Sequence, residues 1–246
     1  KLDTRMQINS GGSIELLNLP SSPELTLVAK DTLRFDGSLP LAYEVLSIQT
    51  SQGLGSSTTP LQLSGHTLTL KSTGGQVYAQ IQAGDAVSLQ AFGAQGASIG
   101  HAGSLRFASG SSVGSASGSV VIRAAGDLWV SGLTAQANSA NLEAGRAIKA
   151  TAAADATPLS YSGELNLKAT SGIGTLGYGR ILIEGQGPNA QISALNTQSG
   201  DIVIAGRNGM TLGSNSIRNE SSGLEVLLGG TGRIDGLSRM SIGLSL

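Results

Sequence analysis

The sequence contains no cysteine, few aromatic residues and little charge. Without cysteine, the chain has no disulfide scaffold, no thiolate metal site and no cysteine nucleophile. Charged residues make up 13% of the 246 residues, well below the share in ordinary soluble domains, and the formal net charge is −1. No cluster of basic residues is present, so the sequence predicts no nucleic-acid partner. No apolar run approaches the ~20 residues that span a bilayer, so no membrane span is expected.

The sequence is rich instead in glycine and in short strand-like segments. The 36 glycines, together with serine, interrupt most windows of helical length. This disfavours helices, because each glycine costs about 1 kcal/mol relative to alanine in a helix. Apolar and polar residues alternate within the segments, as in TLTLK from Thr67, ELNLK from Glu164 and DIVIA from Asp201. Alternation with a period of two indicates a strand with one buried face.

The spacing of the segments indicates how they are connected. Apolar residues in successive segments lie 18 to 21 residues apart: Ile14 and Leu33, Leu68 and Val87, Val87 and Leu105, Leu128 and Ile148, Ile181 and Ile202. A near-constant repeat with strands and no helical pattern is typical of a β-solenoid, whereas hairpin-connected sandwiches have no reason to keep one repeat length. The sequence therefore predicts an all-β fold, a right-handed parallel β-helix (β-solenoid) with about 20-residue coils.

We expect a single β-helix rod over residues 1–246. The region 20–60 holds four of the six prolines (Pro20, Pro23, Pro40, Pro60) and is expected to contain inserted loops or an extra hairpin. A second loop is expected at 151–158, which reads TAAADATP. Gly-Asp pairs precede several strands and fit a recurring corner, because glycine tolerates positive φ and aspartate hydrogen-bonds the local backbone.

Alternation within the strands assigns a core of stacked aliphatic residues. The residues predicted to face inward are Leu33, Phe35, Leu68, Leu70, Val87, Leu89, Leu105, Phe107, Val120, Ile122, Leu128, Val130, Leu165, Leu167, Ile181, Ile183, Ile202 and Ile204. Side chains stacked one coil apart form a continuous core without large residues, which accounts for the low aromatic content. A slip of one residue would turn each set outward.

Four apolar residues are predicted to point outward between inward neighbours: Val121, Trp129, Leu182 and Val203. Two explanations remain open for them. The strands are covered on both faces, with a loop packed outside, or the four residues form a contact stripe for a neighbouring rod or a partner. Trp129, the only tryptophan, also suits stacking on a sugar ring.

Polar residues suited to a catalytic or metal site are few and scattered. Asp85, Asp127 and Asp201 precede strands, where turn capping is expected, with a catalytic or calcium role as the alternative. His66 and His101 each follow a glycine, and no further ligands stand at metal-site spacing, so turn or surface positions are expected. The sequence predicts no catalytic residue, no cofactor-binding residue, no metal site and no cofactor.

Three segments carry a resemblance to a known family: SGSVVIRAAGDLWVSGLTA (117–135), ANLEAGRAIKATA (140–152) and SGDIVIAGRNGMTLGSNSI (199–217). Their order of strand, Ala-Gly turn, polar residue, strand and Gly or Ser resembles the haemagglutinin repeats of filamentous-haemagglutinin-like exoproteins. These are large bacterial β-helical adhesins exported by two-partner secretion. The resemblance covers roughly Gly65 to the C-terminus. It implies secretion to the bacterial cell surface, a filamentous shape and attachment to cells or matrix.

We therefore expect a non-enzymatic structural or adhesive shaft of a secreted bacterial surface protein or extracellular filament. Expected partners are neighbouring β-helix coils of a longer parent chain, copies of the chain end to end, and host-cell or matrix glycans or proteins. The alternative is a β-helical polysaccharide lyase or hydrolase, or a phage-type depolymerase, because such enzymes share the fold. An autotransporter passenger domain is a third possibility that differs in its export route.

Overall fold

The structure, a computed structural model, describes residues 5–16, 22–35, 40–82, 86–151, 157–175, 179–220, 226–230, 234–235 and 240–242. Over these residues the chain is all-β, with 27 strands and no α-helix. Each pair of neighbouring strands is parallel, and the strands stack as a β-solenoid, so the predicted fold class is confirmed. Right-handed winding stays a prediction that rests on the strong preference of connections between parallel strands.

The first long sheet has eleven strands, one from each successive coil. Its strands are β1 (Arg5–Ser10), β3 (Glu24–Ala29), β6 (Val45–Thr50), β8 (Thr67–Ser72), β10 (Ser88–Gly93), β13 (Ser112–Ser115), β16 (Thr134–Gln136), β19 (Leu159–Tyr161), β21 (Ile181–Gly185), β23 (Ile202–Gly206) and β25 (Val226–Gly230).

The second long sheet also has eleven strands. They are β5 (Leu41–Ala42), β7 (Leu61–Ser64), β9 (Gln76–Ile81), β11 (Gly96–His101), β14 (Ser119–Ala124), β17 (Ser139–Ala144), β20 (Glu164–Ala169), β22 (Gln191–Asn196), β24 (Met210–Asn219), β26 (Ile234–Asp235) and β27 (Met240–Ile242). A third sheet contains β12 (Leu105–Arg106), β15 (Leu128–Trp129) and β18 (Ile148–Lys149), and a fourth contains β2 (Ile14–Leu16) and β4 (Leu33–Phe35).

The coil length is roughly 22 residues rather than about 20. Of the five sequence spacings, Ile14–Leu33 and Leu128–Ile148 join true register partners. In the other three the real partner lies two residues further along: Leu68 pairs with Leu89, Val87 with Phe107, and Ile181 with Ile204. Inward positions recur every two residues in a strand, so alternation alone does not distinguish these neighbouring registers.

The core runs through the interior of the solenoid, between the sheets. Of the 18 residues predicted to face inward, 16 are buried, most of them below 2% exposed. Leu33 is only half-buried and packs against the edge of the core, because its sheet has a single neighbouring strand. The side chain of Phe35 lies outside the described residues. The core residues belong to several different sheets, so they line one interior rather than one column.

Small polar side chains close the corners where strands end. Thr50 and Ser72 are register partners and are both buried. The Ser72 hydroxyl donates to the Gln52 carbonyl of the preceding coil at 2.6 Å and accepts from the Gly75 N–H at 2.9 Å. At the ends of β22 and β24, Asn196 Nδ2 donates to Asn219 Oδ1 at 3.1 Å. These side chains satisfy buried backbone groups that the corners remove from the strand ladders.

The region 20–60 contributes regular strands where it is described. Glu24–Ala29 pairs over its full length with Val45–Thr50 in the first long sheet. Residues 17–21 and 36–39 lie outside the described residues, as do residues 152–156 of the expected loop at 151–158. The expectations of inserted loops, and of a single rod over the whole chain, stay predictions.

Candidate functional site

The four outward apolar residues do not share one face of the solenoid. Val121 is half-buried on the second long sheet, and Trp129 is half-buried on the three-stranded sheet. Leu182 and Val203 lie on the first long sheet, where Leu182 is half-buried. The structure therefore brings no continuous stripe together from these residues, and a contact role for each stays a prediction.

Val203, which was expected to point outward, is 6% exposed, and all residues of its strand are buried. Its N–H donates to the Ile173 carbonyl at 2.7 Å, and a Cβ placed on Gly174 would lie 2.4 Å from the Val203 carbonyl. The segment around Ile173 thus runs directly beside the first half of the strand. For this residue, burial favours the first of the two explanations, a strand covered on both faces, over an exposed contact stripe.

Trp129 lies beside a cation rather than on an open surface. The Lys149 Nζ is 5.2 Å from the centroid of the indole ring, and the two residues are register partners on adjacent coils. This distance is suited to a cation–π interaction. One face of the ring is therefore engaged within the protein, which weakens the prediction that Trp129 stacks on a sugar.

Asp127 is a buried carboxylate that joins two coils. It is held by Arg146 (Nη2–Oδ2 2.6 Å, Nε–Oδ1 3.1 Å), by Lys149 Nζ at 2.7 Å and by the Ala147 N–H at 3.2 Å. The Ser104 hydroxyl of the preceding coil accepts the Asp127 N–H at 2.9 Å. The hydrogen bonds from Arg146 hold the pKa of Asp127 well below its usual range, and Lys149 acts in the same direction. Asp127 thus closes a corner between coils.

The three aspartates that precede strands do not form a cluster in the described part of the chain. Asp85 lies outside the described residues. Asp127 and Asp201 occupy the same corner position, but Ala147 and Gly172 stand between them on the intervening coils, as the hydrogen bonds of the following strand residues show. At about 4.8 Å per coil, three coils separate the two carboxylates by roughly 14 Å. They do not converge on one catalytic centre.

Among the described residues, neither histidine belongs to a cluster of possible metal ligands. His66 is exposed at a corner, and the Nδ1 of His101 accepts the Gly103 N–H at 2.8 Å. Among the described residues, no three His, Asp or Glu side chains are grouped closely enough to hold a metal ion. His101, the last residue of β11, therefore closes the turn that follows the strand.

A groove lies along the outside of the second long sheet. We call it the side trough and define it by six residues that line it: Tyr78, Ser98, Arg123, Glu143, Lys168 and Arg218. It consists of two cavities of about 630 and 370 Å³. Both are lined by Glu143 and Lys168, so the two cavities adjoin at this point. Ser56, Ser57 and Pro60 contribute to the wall of the larger cavity.

Register pairing arranges the lining side chains of the side trough in columns. Arg123, Glu143 and Lys168 follow one another on successive coils. Arg123 Nε lies 2.9 Å from Glu143 Oε2, and Arg218 pairs with Glu220. Lys168 is exposed and forms no ion pair with any described residue. In the part of the chain that the structure describes, the side trough therefore carries one unpaired positive charge, at the junction of its two cavities.

Sequence reasoning missed the side trough. Its residues lie about one coil apart in sequence and meet only through the register of the strands. The available signal was the outward residue after each inward leucine or isoleucine, as in Arg123 after Ile122 and Lys168 after Leu167. Placing these residues side by side requires the coil length at each step, and the sequence spacings were two residues short at three of five positions.

No helix of the described residues is long and apolar enough to cross a membrane. Comparison with known proteins gave no match: no family model, no curated protein and no solved structure matches the chain. The resemblance to filamentous-haemagglutinin-like exoproteins therefore rests on the repeat pattern alone. What the structure establishes is a parallel β-solenoid with a groove along one side.

Proposed function

We propose that the chain is a structural and adhesive shaft of a secreted bacterial surface protein or extracellular filament, and that it has no enzymatic activity. The observation that carries this proposal is the uninterrupted stacking of two eleven-stranded parallel sheets around one aliphatic interior. Each coil contacts mainly its neighbours, so such a fold extends in one direction by adding coils. A rod of this kind sets a distance between its two ends.

Three kinds of interaction between coils support a load-bearing role. Backbone hydrogen bonds run between coils in every parallel ladder. Inward side chains such as Ile122, Leu142 and Leu167 stack in register and are buried. Polar residues at the corners, among them Asp127, bridge coils by hydrogen bonds and ion pairs. Bending or shearing the rod disturbs all three sets together.

The proposed location and partners of the chain are based on the repeat pattern. Haemagglutinin repeats imply secretion to the bacterial surface, and the proposed partners are further coils of a longer chain or copies end to end. Host-cell or matrix glycans and proteins are the proposed targets of adhesion. We assign such a contact to the side trough, because a concave surface encloses more of a ligand than an open one does.

The alternative, a glycan-cleaving enzyme, is favoured only by the presence of a carboxylate, Glu143, in the side trough. Glycoside hydrolysis generally requires two carboxylates across the scissile bond. Among the described residues that line the two cavities, Glu143 is the only acidic one, and it is paired with Arg123. The lining chemistry is better suited to holding a ligand than to cleaving it.

Adhesion and catalysis are separated by one experiment with two readouts. Beads coated with the full chain are passed over host-cell and matrix surfaces under flow, and the same protein is incubated with a panel of polysaccharides. The proposal predicts bead retention above that of albumin-coated beads, without release of reducing ends or unsaturated sugars. Retention equal to that of albumin-coated beads, or sugar release that disappears in Glu143→Gln, would contradict the proposal.

A further inference from the structure

The side trough is long enough to hold a segment of a polymer in an extended conformation. Its lining residues come from seven strands on successive coils, β9, β11, β14, β17, β20, β22 and β24. With about 4.8 Å between adjacent strands, six steps span roughly 29 Å. A ligand that fills such a groove crosses the strands and runs along the axis of the solenoid.

The backbone of the sheet is not available to this ligand. Each interior strand of the second long sheet is paired on both sides, as β14 is with β11 and β17. An extended peptide gains most of its affinity for a sheet by adding a strand at an open edge. Across the face of the sheet no such edge exists, so recognition depends on side chains. This favours a ligand that is itself rich in hydroxyl and amide groups.

Two asparagines provide the matching hydrogen-bonding groups. Asn141 and Asn166 are register partners, half-buried on the outer face, and their amides form no hydrogen bonds with described residues. Each primary amide offers two donors and an acceptor. Their separation of about 4.8 Å is comparable with the rise per sugar in an extended glycan. Towards the N-terminal end, the same column continues with Val121 and then with Ser98 and Tyr78.

Charge decides what kind of glycan fits. Arg123 and Arg218 are each paired with a glutamate, which leaves Lys168 as the one unpaired cation among the described residues that line the side trough. A densely sulfated glycan would require a row of unpaired cations. A neutral glycan would leave the ammonium group of Lys168 without a partner. An isolated carboxylate matches the single charge, and charge-assisted hydrogen bonds are the stronger ones.

We propose that the side trough binds a linear glycan in which carboxylate-bearing sugars alternate with neutral sugars. Lys168 binds the carboxylate, and Asn141 and Asn166 bind hydroxyl or acetamido groups of the adjoining sugars. The binding site extends the adhesive part of the function proposed above. A chain that bound no glycan would still serve as a shaft, so failure of this inference is distinguishable from failure of that function.

The test uses a hyaluronan octasaccharide, in which uronic acid and N-acetylglucosamine alternate, titrated into the full chain by calorimetry. Two comparison ligands have the same length: a carboxyl-reduced hyaluronan octasaccharide and a heparin octasaccharide. The variant is Lys168→Gln. Its matched control is Lys71→Gln, because Lys71 is likewise exposed at mid-strand but on the outer face of the first long sheet. Both lysines are exposed, so neither change threatens folding.

Loss of one charge-assisted hydrogen bond corresponds to about a tenfold weaker association. We expect hyaluronan to bind, carboxyl reduction and Lys168→Gln each to weaken binding about tenfold, and Lys71→Gln to have no effect. Asn166→Ala should weaken binding of both hyaluronan forms equally. Absence of hyaluronan binding, equal losses in the two lysine variants, or tighter binding of heparin than of hyaluronan would each overturn the proposal.

Discussion

Arg146 clamps the buried carboxylate of Asp127 from the next coil, with the Nη2–Oδ2 distance at 2.6 Å and the Nε–Oδ1 distance at 3.1 Å. The guanidinium remains largely exposed, whereas the Asp127 side chain is 3% exposed. Lys149 reaches the same carboxylate and also lies over the Trp129 ring. One aspartate therefore organises the corner of the three-stranded sheet.

Asp127→Asn should destabilise the chain. A neutral amide keeps the shape of the side chain but loses the charge-assisted hydrogen bonds, so the free energy of unfolding should fall by about 1–3 kcal/mol in urea titrations. The control is Glu24→Gln, which removes an ion pair with Arg5 at the exposed surface. That pair should contribute less than about 1 kcal/mol. Equal losses in the two variants would show that Asp127 has no special structural role.

The same carboxylate predicts a pH dependence. The pKa of Asp127 is lowered in the folded chain, so its contribution is present above its unfolded pKa of about 4 and is lost as the pH falls below that value. Between pH 5 and about pH 2.5, the melting temperature of the native chain should therefore fall more steeply than that of Asp127→Asn. Parallel melting curves over this range would contradict the assigned interaction.

Substitution of Leu142 tests whether the aliphatic interior is tightly packed. It is fully buried and pairs in register with Ile122 and Leu167 on the adjacent coils. Leu142→Ala should lower the free energy of unfolding by about 2–5 kcal/mol, because it removes buried methyl groups and leaves a cavity. Val121→Ala, on the outer face of the neighbouring strand, should cost much less. Denaturant titration of both variants measures the difference, and similar costs would place Leu142 outside a packed core.

Substitution of Ser193 is expected to stabilise the chain, in contrast to the substitutions above. Among the described residues, its hydroxyl is the only buried side-chain polar atom without a hydrogen-bond partner. It lies where the register between β22 and β24 shifts, so the regular neighbour is displaced. Ser193→Ala removes an unsatisfied group and should raise the free energy of unfolding by about 1 kcal/mol. Ser98→Ala, at a half-buried position of the same column, serves as the control. A loss of stability in Ser193→Ala would mean that the hydroxyl has a partner.

The fold was predictable because the alternation of apolar and polar residues within each strand indicates which side chains are buried. Leu165 and Leu167 alternate with polar residues, and both are buried as expected. Register was less predictable, since Leu68 meets Leu89 rather than Val87 and both candidates face inward. Val203 shows a further limit, because alternation indicates the direction of its side chain but not whether the outer face of the strand is buried.

The side trough was not predictable from the residues alone. Asn141, Asn166 and Lys168 read as ordinary outward residues within their own strands. Their chemistry depends on which side chains stand next to them on adjacent coils, and that requires coil lengths of 20 residues at one step and 25 at the next. Trp129 was a candidate contact residue because it is the only tryptophan in the sequence. Its contact with Lys149 is evident only from the structure.

The solenoid fold and the side trough both require that successive coils lie in parallel register. Cysteine cross-linking measures this register directly. The chain has no cysteine of its own, so pairs are introduced without competing thiols. Val121→Cys is combined in turn with cysteine at Ser139, Asn141 and Glu143, and the rate of disulfide formation is compared. Val121 and Asn141 are register partners, within the separation that a disulfide tolerates. The rate should be highest for the Asn141 pair, and a maximum at either flanking position, or no cross-link at any, would contradict the stacked solenoid.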